Sequence, residues 1–536
     1  MVNGKGMPEV AEYNGVKTLM VKGRPFFMLA GETHNSSSGN PEYMESNVWP
    51  YLRQLHLNTL FVPVMWNLSE MKQGNYDFRL AERLILQARR ENVHLVLLWF
   101  GLWKNGESDY VPDWVKTDTK TYFRALNEEG LKMNCVSPFC SQAVEADARA
   151  FEAFMGFLKE FDGEEQTVIM VQVENETGLL GACRDFGAEA EACFRGKVPD
   201  MLYGEAGGRD DGEEKYDGSG NPASWESVYG EDAGEAMMAW AFASAVETIA
   251  ARGKRVYPLP MYTNAWVEQF PWRPGTYPSG GPVSRMSRIW KQAAPTLLGV
   301  EPDIYLADMV KVMKEYDQED NPLIIPEARR DVRTASYAIY SIFGLNALGY
   351  SPFGIEDIGK YAFSGPEGRT DQNALGRETL ESLQISLNAY DPAGTAQYLS
   401  ASYLMMDQLQ ELYLAKRGTD HFRTFIRSGE DDRGGWIRFR KYEFMLTYQE
   451  DHPRKPVACG GIVELDEDTF LLFGCRYRFQ ILPRMGRAES AGILSLEDGI
   501  WTEGKWKASY VKNGDEKQGC ALGEMPGMCR LHVYLY

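Results

Sequence analysis

The sequence predicts an α/β fold, a (β/α)₈ barrel followed by a C-terminal all-β, sandwich-like domain, and three observations lead there. Short β-rich apolar runs recur through the first three quarters of the chain, separated by longer amphipathic stretches. Beyond position 418 the long amphipathic stretches stop and period-two alternation takes over. Two glutamates, Glu176 and Glu327, follow or close apolar strands where a parallel barrel has its mouth. A chain of 536 residues also exceeds what one hydrophobic core organises. The expected units are residues 1–417, a barrel with a short N-terminal strand region, and 418–536, the β domain.

Eight runs justify the barrel: residues 26–31, 59–64, 94–100, 168–174, 256–262, 303–306, 323–327 and 347–353. Several are apolar without alternation, as strands buried on both faces of a parallel sheet are. Residues 80–91, 146–160 and 235–252 place apolar side chains three to four apart and read as the covering helices. Residues 204–221 are dense in Gly, Asp and Glu without apolar periodicity, the composition of a solvated surface insertion. After an amphipathic segment at 398–414, strands are expected at 436–439, 443–447, 461–465, 469–473 and 530–536, in sheets with one face buried.

Composition narrows the function. A net charge of -20 repels polyphosphates and anionic lipid, so neither nucleic acid nor a membrane surface is the expected partner and a neutral substrate fits better. Thirteen Trp and 28 Tyr are enough both to fill cores and to stack on sugars. Residues 1–10 lack the basic start and apolar run of a secretory signal, and no stretch is apolar enough to span a bilayer, so a cytoplasmic chain is expected. Eight cysteines without a Cys-x-x-Cys pair read as free thiols, and six histidines without ligand spacing do not suggest a zinc centre. No phosphate loop is present, and no cofactor is implied.

The chemistry comes from two strands. Val168 to Glu174 runs directly into Asn175 and Glu176, and Leu323 to Glu327 is built the same way, so the fourth and seventh strands each offer a carboxylate to one cavity. A retaining glycosidase needs two such groups roughly 5–5.5 Å apart, one attacking the anomeric carbon and one protonating the leaving oxygen. A neighbouring carboxylate raises the pKa of the acid, as Glu327 would for Glu176. Asn175 is placed to hydrogen-bond a sugar 2-OH. Ion pairing of these glutamates with Arg329 or Arg330 is the competing explanation for either one alone. Polar residues also gather after the first three strands, giving Glu32, Trp66, Asn67, Trp103 and Asn105 as candidate substrate contacts. Tyr262 and Tyr305 end strands five and six as candidates to orient the nucleophile, and Trp266 is a candidate stacking wall.

Gln172-Val-Glu-Asn-Glu176, followed by Thr-Gly, resembles the acid/base strand of glycoside hydrolase family 35 β-galactosidases, and 323–327 occupies the place of the family nucleophile. Phe61-Val-Pro-Val-Met-Trp-Asn67 and Gly74-Asn-Tyr-Asp-Phe78 resemble the family's second-strand block. The likeness covers roughly residues 23–414, and residues 97–105 and 351–355 look like the shorter bacterial branch with a small C-terminal β domain. The resemblance implies a retaining, exo-acting enzyme releasing terminal non-reducing β-linked galactose from oligosaccharides. The Ala-Glu pair with which larger members recognise galactose is not found after strand three. A β-glucoside-active hydrolase and a transglycosylase on the same barrel therefore stay open, as do a non-catalytic carbohydrate-binding protein and a homo-oligomeric state.

Overall fold

The computed structural model describes residues 6–203, 223–363, 387–484 and 490–536; the insertion expected at 204–221 lies outside them. Eight parallel strands close into a barrel in sequence order. They are β1 (Met28–Glu32), β2 (Thr59–Met65), β3 (His94–Lys104), β4 (Val168–Asn175), β5 (Met261–Trp266), β6 (Val300–Ile304), β7 (Ile324–Ala328) and β8 (Gly349–Pro352). Pairing of β4 with β5 and of β8 with β1 completes the ring. All eight expected runs fall on or beside these strands. The fifth is displaced most, from 256–262 to Met261–Trp266, because the helix before it continues to Val256 and two prolines, Pro258 and Pro260, then interrupt the chain. Proline has no N–H to give a ladder, so pairing starts beyond them.

Strand alternation sorts the barrel into an inside and an outside. Met28, Ala30, Phe61, Val96, Leu98 and Phe100 pack in the interior with Leu19 and Val21 of an N-terminal three-stranded sheet (Glu9–Tyr13, Val16–Val21, Arg24–Phe26). The intervening Leu29, Leu60, Val62, Leu95, Leu97 and Trp99 pack outward against the helices. The barrel is therefore a filled core rather than a pore, and the N-terminal sheet closes its floor. The carboxyl ends of the strands are the open end of the barrel.

The helices cover the outer face for the expected reason. α1 (Arg79–Glu91) buries Ala81, Leu84, Ile85 and Ala88 on one stripe and ends at Asn92, whose left-handed conformation lets its N–H return to the carbonyls of Ala88 and Arg89. α2 (Ser141–Asp162) and α3 (Ala233–Val256) pack on each other, and α4 (Met309–Tyr316) and α5 (Thr334–Leu345) complete the segments used below. Among the described residues no helix is long and apolar enough to cross a membrane.

After α6 (Thr395–Lys416) the chain forms two antiparallel sheets. Its strands are β9 (Phe422–Ile426), β10 (Gly434–Arg438), β11 (Tyr442–Tyr448), β12 (Cys459–Asp466), β13 (Thr469–Cys475), β14 (Tyr477–Pro483), β15 (Ala491–Thr502), β16 (Lys505–Lys512), β17 (Ala521–Leu522) and β18 (Gly527–Leu535). One sheet runs β9-β12-β13-β18-β15-β16 and the other β10-β11-β14-β17. The expected single buried face holds in β14, where Tyr477 and Phe479 are buried and Arg478 and Gln480 exposed. It fails in β12 and β13, which are buried on both faces. Phe470 and Leu472 meet Phe444 and Phe479 of the second sheet, while Leu471 and Phe473 turn to the barrel helices. The continuous apolar run 470–473 is the sequence trace of that double burial.

Phe473 joins an aromatic cluster with Phe343 of α5, ring centroids 5.5 Å apart, and with Phe422 at 5.6 Å, while Tyr413 of α6 stacks on Phe343 at 4.5 Å. Phe473→Ala removes a fully buried ring from this seam and is expected to cost about 3–5 kcal/mol of stability, read as a lower urea midpoint. A loss under ~1 kcal/mol would show that the β domain is not a packing partner of the barrel.

Candidate active site

β4 delivers its acidic residues to opposite sides of the barrel wall. Glu174 and Glu176 both take left-handed backbone conformations, with φ of 62° and 46°. Such conformations are costly for residues with a side chain and persist where neighbours over-determine them. Here the neighbours are explicit. The Glu176 N–H donates to Asn264 Oδ1 at 2.9 Å, its carbonyl accepts from Gly106 N at 3.1 Å, and the Asn175 carbonyl accepts from Asn105 N at 3.2 Å.

Glu174 points away from the cavity. Its carboxyl accepts from Trp103 N at 2.7 Å and Leu102 N at 3.2 Å and lies against Asp147 of α2, which takes Trp99 Nε1 and Leu102 N, both at 2.8 Å. Only glycine fits at 101, where a Cβ would stand 2.3 Å from Asp147 Oδ2 and 2.4 Å from Glu174 Oε1. Burial pushes both carboxyls up, Asp147 to about 6, and the proximity of Asp147 raises Glu174 further, so a proton is held between them. This buried pair braces the irregular end of β3, whose register against β4 shifts between Trp99 and Lys104.

Glu327 of β7 sits opposite Asp303 of β6 in strand register. The Tyr305 hydroxyl donates to Glu327 Oε1, while Glu327 Oε2 is buried without a hydrogen-bond partner among the described residues. Asp303 Oδ2 accepts from Asn264 Nδ2 at 2.5 Å, and Asn264 Nδ2 also lies 3.2 Å from Asn175 Oδ1. Gln172 Nε2 donates to Asn175 Oδ1 at 2.9 Å, so the oxygen end of Asn175 is held from two sides and its buried Nδ2 has no partner among the described residues. Asn264 thus ties the Glu176 backbone, Asn175 and Asp303 together.

One carboxylate oxygen each from Glu176, Asp303 and Glu327 lies within 4.8 Å of the other two. Burial first, then the Glu327 charge, lifts Glu176 to about 7 against the pull of Lys104. Burial and then the charges of Glu327 and Glu176 hold the Asp303 carboxyl well above the carboxylate range, and Glu32 is raised by burial and Glu327. Lys104 is buried too, yet its surrounding carboxylates outweigh desolvation and raise its pKa, so it stays an ammonium. Three oxygens at this spacing would also fit a hard divalent cation. The groups that compensate the charge within the protein are Lys104 and the protons on Asp303 and Glu176.

A cavity of about 110 Å³ opens over these groups, walled by Asn105, Glu176, Trp266, Gln269, Asp303, Tyr305, Glu327 and Tyr390. Tyr390 stacks on Tyr305 with centroids 4.7 Å apart. Among the described residues, buried polar atoms without a partner gather nearby: Asn105 Oδ1, Gln269 Nε2, Asp303 Oδ1, Glu327 Oε2, Asn175 Nδ2, Glu32 Oε1 and the Tyr262 hydroxyl. Buried polar groups are normally paired, so this set of unsatisfied donors and acceptors marks the cavity as a polar site.

Of the candidates read from sequence, Glu176, Glu327, Asn105, Trp266 and Tyr305 wall the cavity. Asn175, Glu32 and Tyr262 are buried beside it, and Glu32 is close enough to feel the charges of Glu327, Lys104 and Glu176. Asn67 is half-buried at the end of β2, where its N–H donates to the Tyr110 carbonyl at 2.9 Å, and it does not wall the cavity. Trp66 and Trp103 are placed elsewhere. Trp66 is fully buried with Nε1 on Glu70 Oε2 at 2.7 Å, and Trp103 gives Nε1 to the Val136 carbonyl at 2.9 Å and packs edge-on to Phe242 of α3. Both serve the outer core. Lys104, Asn264, Asp303, Gln269 and Tyr390 were not picked out from sequence. Period-two alternation was a usable signal for two of them, since Asn264 shares a face with Tyr262, and Asp303 with Tyr305.

Residues 18–246, which run from the N-terminal sheet to α3 and include Glu176, match the profile of glycosyl hydrolases family 35. That match takes in the first four barrel strands and less than half of the chain. Residues 399–523 match a domain of unknown function, DUF5597, which begins within α6. The β-galactosidase 14 of Arabidopsis thaliana is 27% identical over 175 residues, a stretch that covers 31% of this chain and 18% of that protein. Among solved structures, the catalytic domain of the Paenibacillus polymyxa β-amylase aligns at a TM-score of 0.44 and 13% identity, over 61% of this chain and 92% of that one. The β-galactosidase of Bacillus circulans sp. alkalophilus aligns at 0.42 and 14%, over 73% and 63%.

The raised pKa of Glu176 has a consequence for stability. Folding raises that pKa from 4.5 to about 7, so its contribution is fully present below pH ~4.5 and is lost as pH rises through about 7. Glu176→Gln keeps the shape without the charge. Relative to the native chain it is expected to gain stability on the order of 2–3 kcal/mol at pH 8, with no gain at pH 4. Urea denaturation at the two pH values checks this, and a gain independent of pH would contradict it.

Proposed function

We propose that this chain is a retaining, exo-acting glycoside hydrolase that releases terminal non-reducing β-linked galactose, with Glu327 as nucleophile and Glu176 as acid/base. The observation that carries the reading is the pair of carboxylates from β4 and β7, with oxygens within 4.8 Å of each other over one polar cavity. That spacing suits a covalent mechanism, whereas inverting enzymes hold their carboxyls roughly 6.5–9.5 Å apart to admit a water. Residues 1–417 would carry the chemistry and 418–536 would support the barrel.

The groups divide the work as follows. Glu327 Oε2, free of a partner while Tyr305 steadies Oε1, attacks the anomeric carbon. Glu176, with a pKa of about 7, still holds a proton near neutrality and gives it to the departing glycosidic oxygen. Formation of the glycosyl ester removes the Glu327 charge, which lowers the proton affinity of Glu176 and turns it into the base for water. Water then attacks the same carbon, Glu327 leaves, and the anomeric configuration is retained. Asn175, its oxygen held by Gln172 and Asn264, offers Nδ2 to the sugar 2-OH.

Galactose is supported by the name of the Arabidopsis relative and by the family 35 match. The larger enzymes' Ala-Glu pair is not found here, and the buried ammonium Lys104 closes β3, so a β-glucoside-active hydrolase is the second reading. A panel of aryl β-glycosides separates the two.

Two kinetic outcomes are expected. First, kcat/KM on a substrate with a poor leaving group should fall above pH ~7 as free Glu176 loses its proton. A fully active enzyme at pH 9 would remove Glu176 from the acid role. Second, the two glutamates should separate by azide product. Glu176→Ala should still form the glycosyl-enzyme from a dinitrophenyl glycoside, since that phenolate leaves without protonation, and azide should then restore turnover as a β-glycosyl azide. Glu327→Ala should be inactive in water and give the α-azide by attack from the opposite face. An α-azide from Glu176→Ala would mean the roles are exchanged, and an inverted first product by NMR would exclude the covalent route.

A further inference from the structure

Beyond the catalytic cavity the surface continues as two larger hollows. The first, about 440 Å³ against the inner 110 Å³, shares Val267 and Leu306 with the catalytic cavity as common walls. The second, about 420 Å³, shares Ala307, Asp308, Lys311 and Glu315 with the first and ends on Arg427 and Ser428 of the β domain. The three therefore form one path. It leaves the reacting carboxylates, crosses the exposed side of α4 and reaches the other domain.

The lining of this path has a definite chemistry. Phe270 and Trp272 stand at its inner end with 42% and 63% of their surface exposed. Trp272 does so in a left-handed conformation, φ 63°, which bulky residues rarely adopt. Large rings left in water beside an active site, on a backbone that is costly to hold, mark a stacking surface. The charged walls balance: Glu268, Asp308 and Glu315 against Lys311, Lys314 and Arg427. A path with flat apolar faces, many donors and acceptors, and no net charge suits a chain of neutral sugars.

We propose that the substrate is a neutral oligosaccharide of at least three sugars, whose residues beyond the cleaved bond stack on Phe270 and Trp272 and extend over α4 toward Arg427 and Ser428. This rests on the glycosidase reading above and adds to it the size and charge of the leaving group. The β domain then forms the far end of the substrate groove while contributing nothing to the inner cavity.

The test compares substrates of different length. Trp272→Ala and Phe270→Ala are made, with Trp272→Phe as the conservative control. Each is assayed on a nitrophenyl β-glycoside and on β-galactosyl- and β-glucosyl-terminated oligosaccharides of two to five units. Expected is a kcat/KM that rises with length in the native chain, falls about tenfold in Trp272→Ala on the longer substrates, changes less than twofold on the nitrophenyl glycoside, and returns with Trp272→Phe. Equal losses on short and long substrates, or none on either, would overturn the proposal. Binding is measured separately by calorimetry on Glu327→Gln with the same oligosaccharides. Affinity that grows with length and drops about tenfold when Trp272→Ala is added supports the groove, and affinity independent of length overturns it. Failure of the native chain to cleave any of these glycosides would instead count against the glycosidase reading, while the calorimetric result still decides the groove.

Discussion

Crowding of negative charge at the mouth of the barrel governs the rest of this structure. Two full charges within 4.8 Å of each other repel by roughly 3 kcal/mol or more even at an effective dielectric of 20, and here three carboxyls meet inside that distance with Glu32 behind them. The arrangement persists because each excess charge is answered. Lys104 supplies a buried positive charge, Asp303 and Glu176 hold protons, and Asn264 fixes the geometry through three partners. Any chemistry here inherits the same electrostatics, because neutralising Glu327 changes the proton affinity of Glu176 across the gap.

Holding Lys104 and Asn105 in place requires β3 to depart from regular strand geometry, and the brace for that departure lies outside the barrel. Glu174 and Asp147 share a proton and together take the N–H groups of Leu102 and Trp103, with Gly101 leaving room for them. One β4 residue faces out to secure the neighbouring strand while the next but one faces in to react. The left-handed turns at Glu174 and Glu176 are the local cost of serving both sides.

Much of this was legible in the sequence. All eight barrel strands were, because strands buried on both faces are written as unbroken apolar runs, and so was the placement of Glu176 and Glu327 at one cavity, because they lie at or just beyond the ends of such runs. Trp66 and Trp103 show where the signal stops. Both lie just beyond the apolar runs that mark strands two and three, as Asn105 does, yet β3 extends through Trp103 and both rings pack in the outer core. Tyr390 was out of reach for a different reason, since 63 positions separate it from Glu327 and nothing local ties them. In the tail five strands are not read from sequence; β16, for one, is exposed along most of its length and so carries little apolar alternation.

The tail is explained by its middle strands. A sheet that only closed a separate sandwich would leave its outer face polar, yet β12 and β13 bury Val463, Leu471 and Phe473 against α5 and α6 as well as Ile462, Phe470 and Leu472 against the second sheet. Such a sheet belongs to two cores at once, so its position relative to the barrel is set by packing rather than by a linker. α5 follows directly from the loop after Glu327, and α6 places Tyr413 against Phe343 of α5. The same packing that steadies the far side of the nucleophile strand therefore brings Arg427, one residue past β9, to the outer end of the path over α4. Support of the barrel and the proposed contact with a long substrate would both follow from this one interface, by which a domain remote from the carboxylates would bear on which molecules reach them.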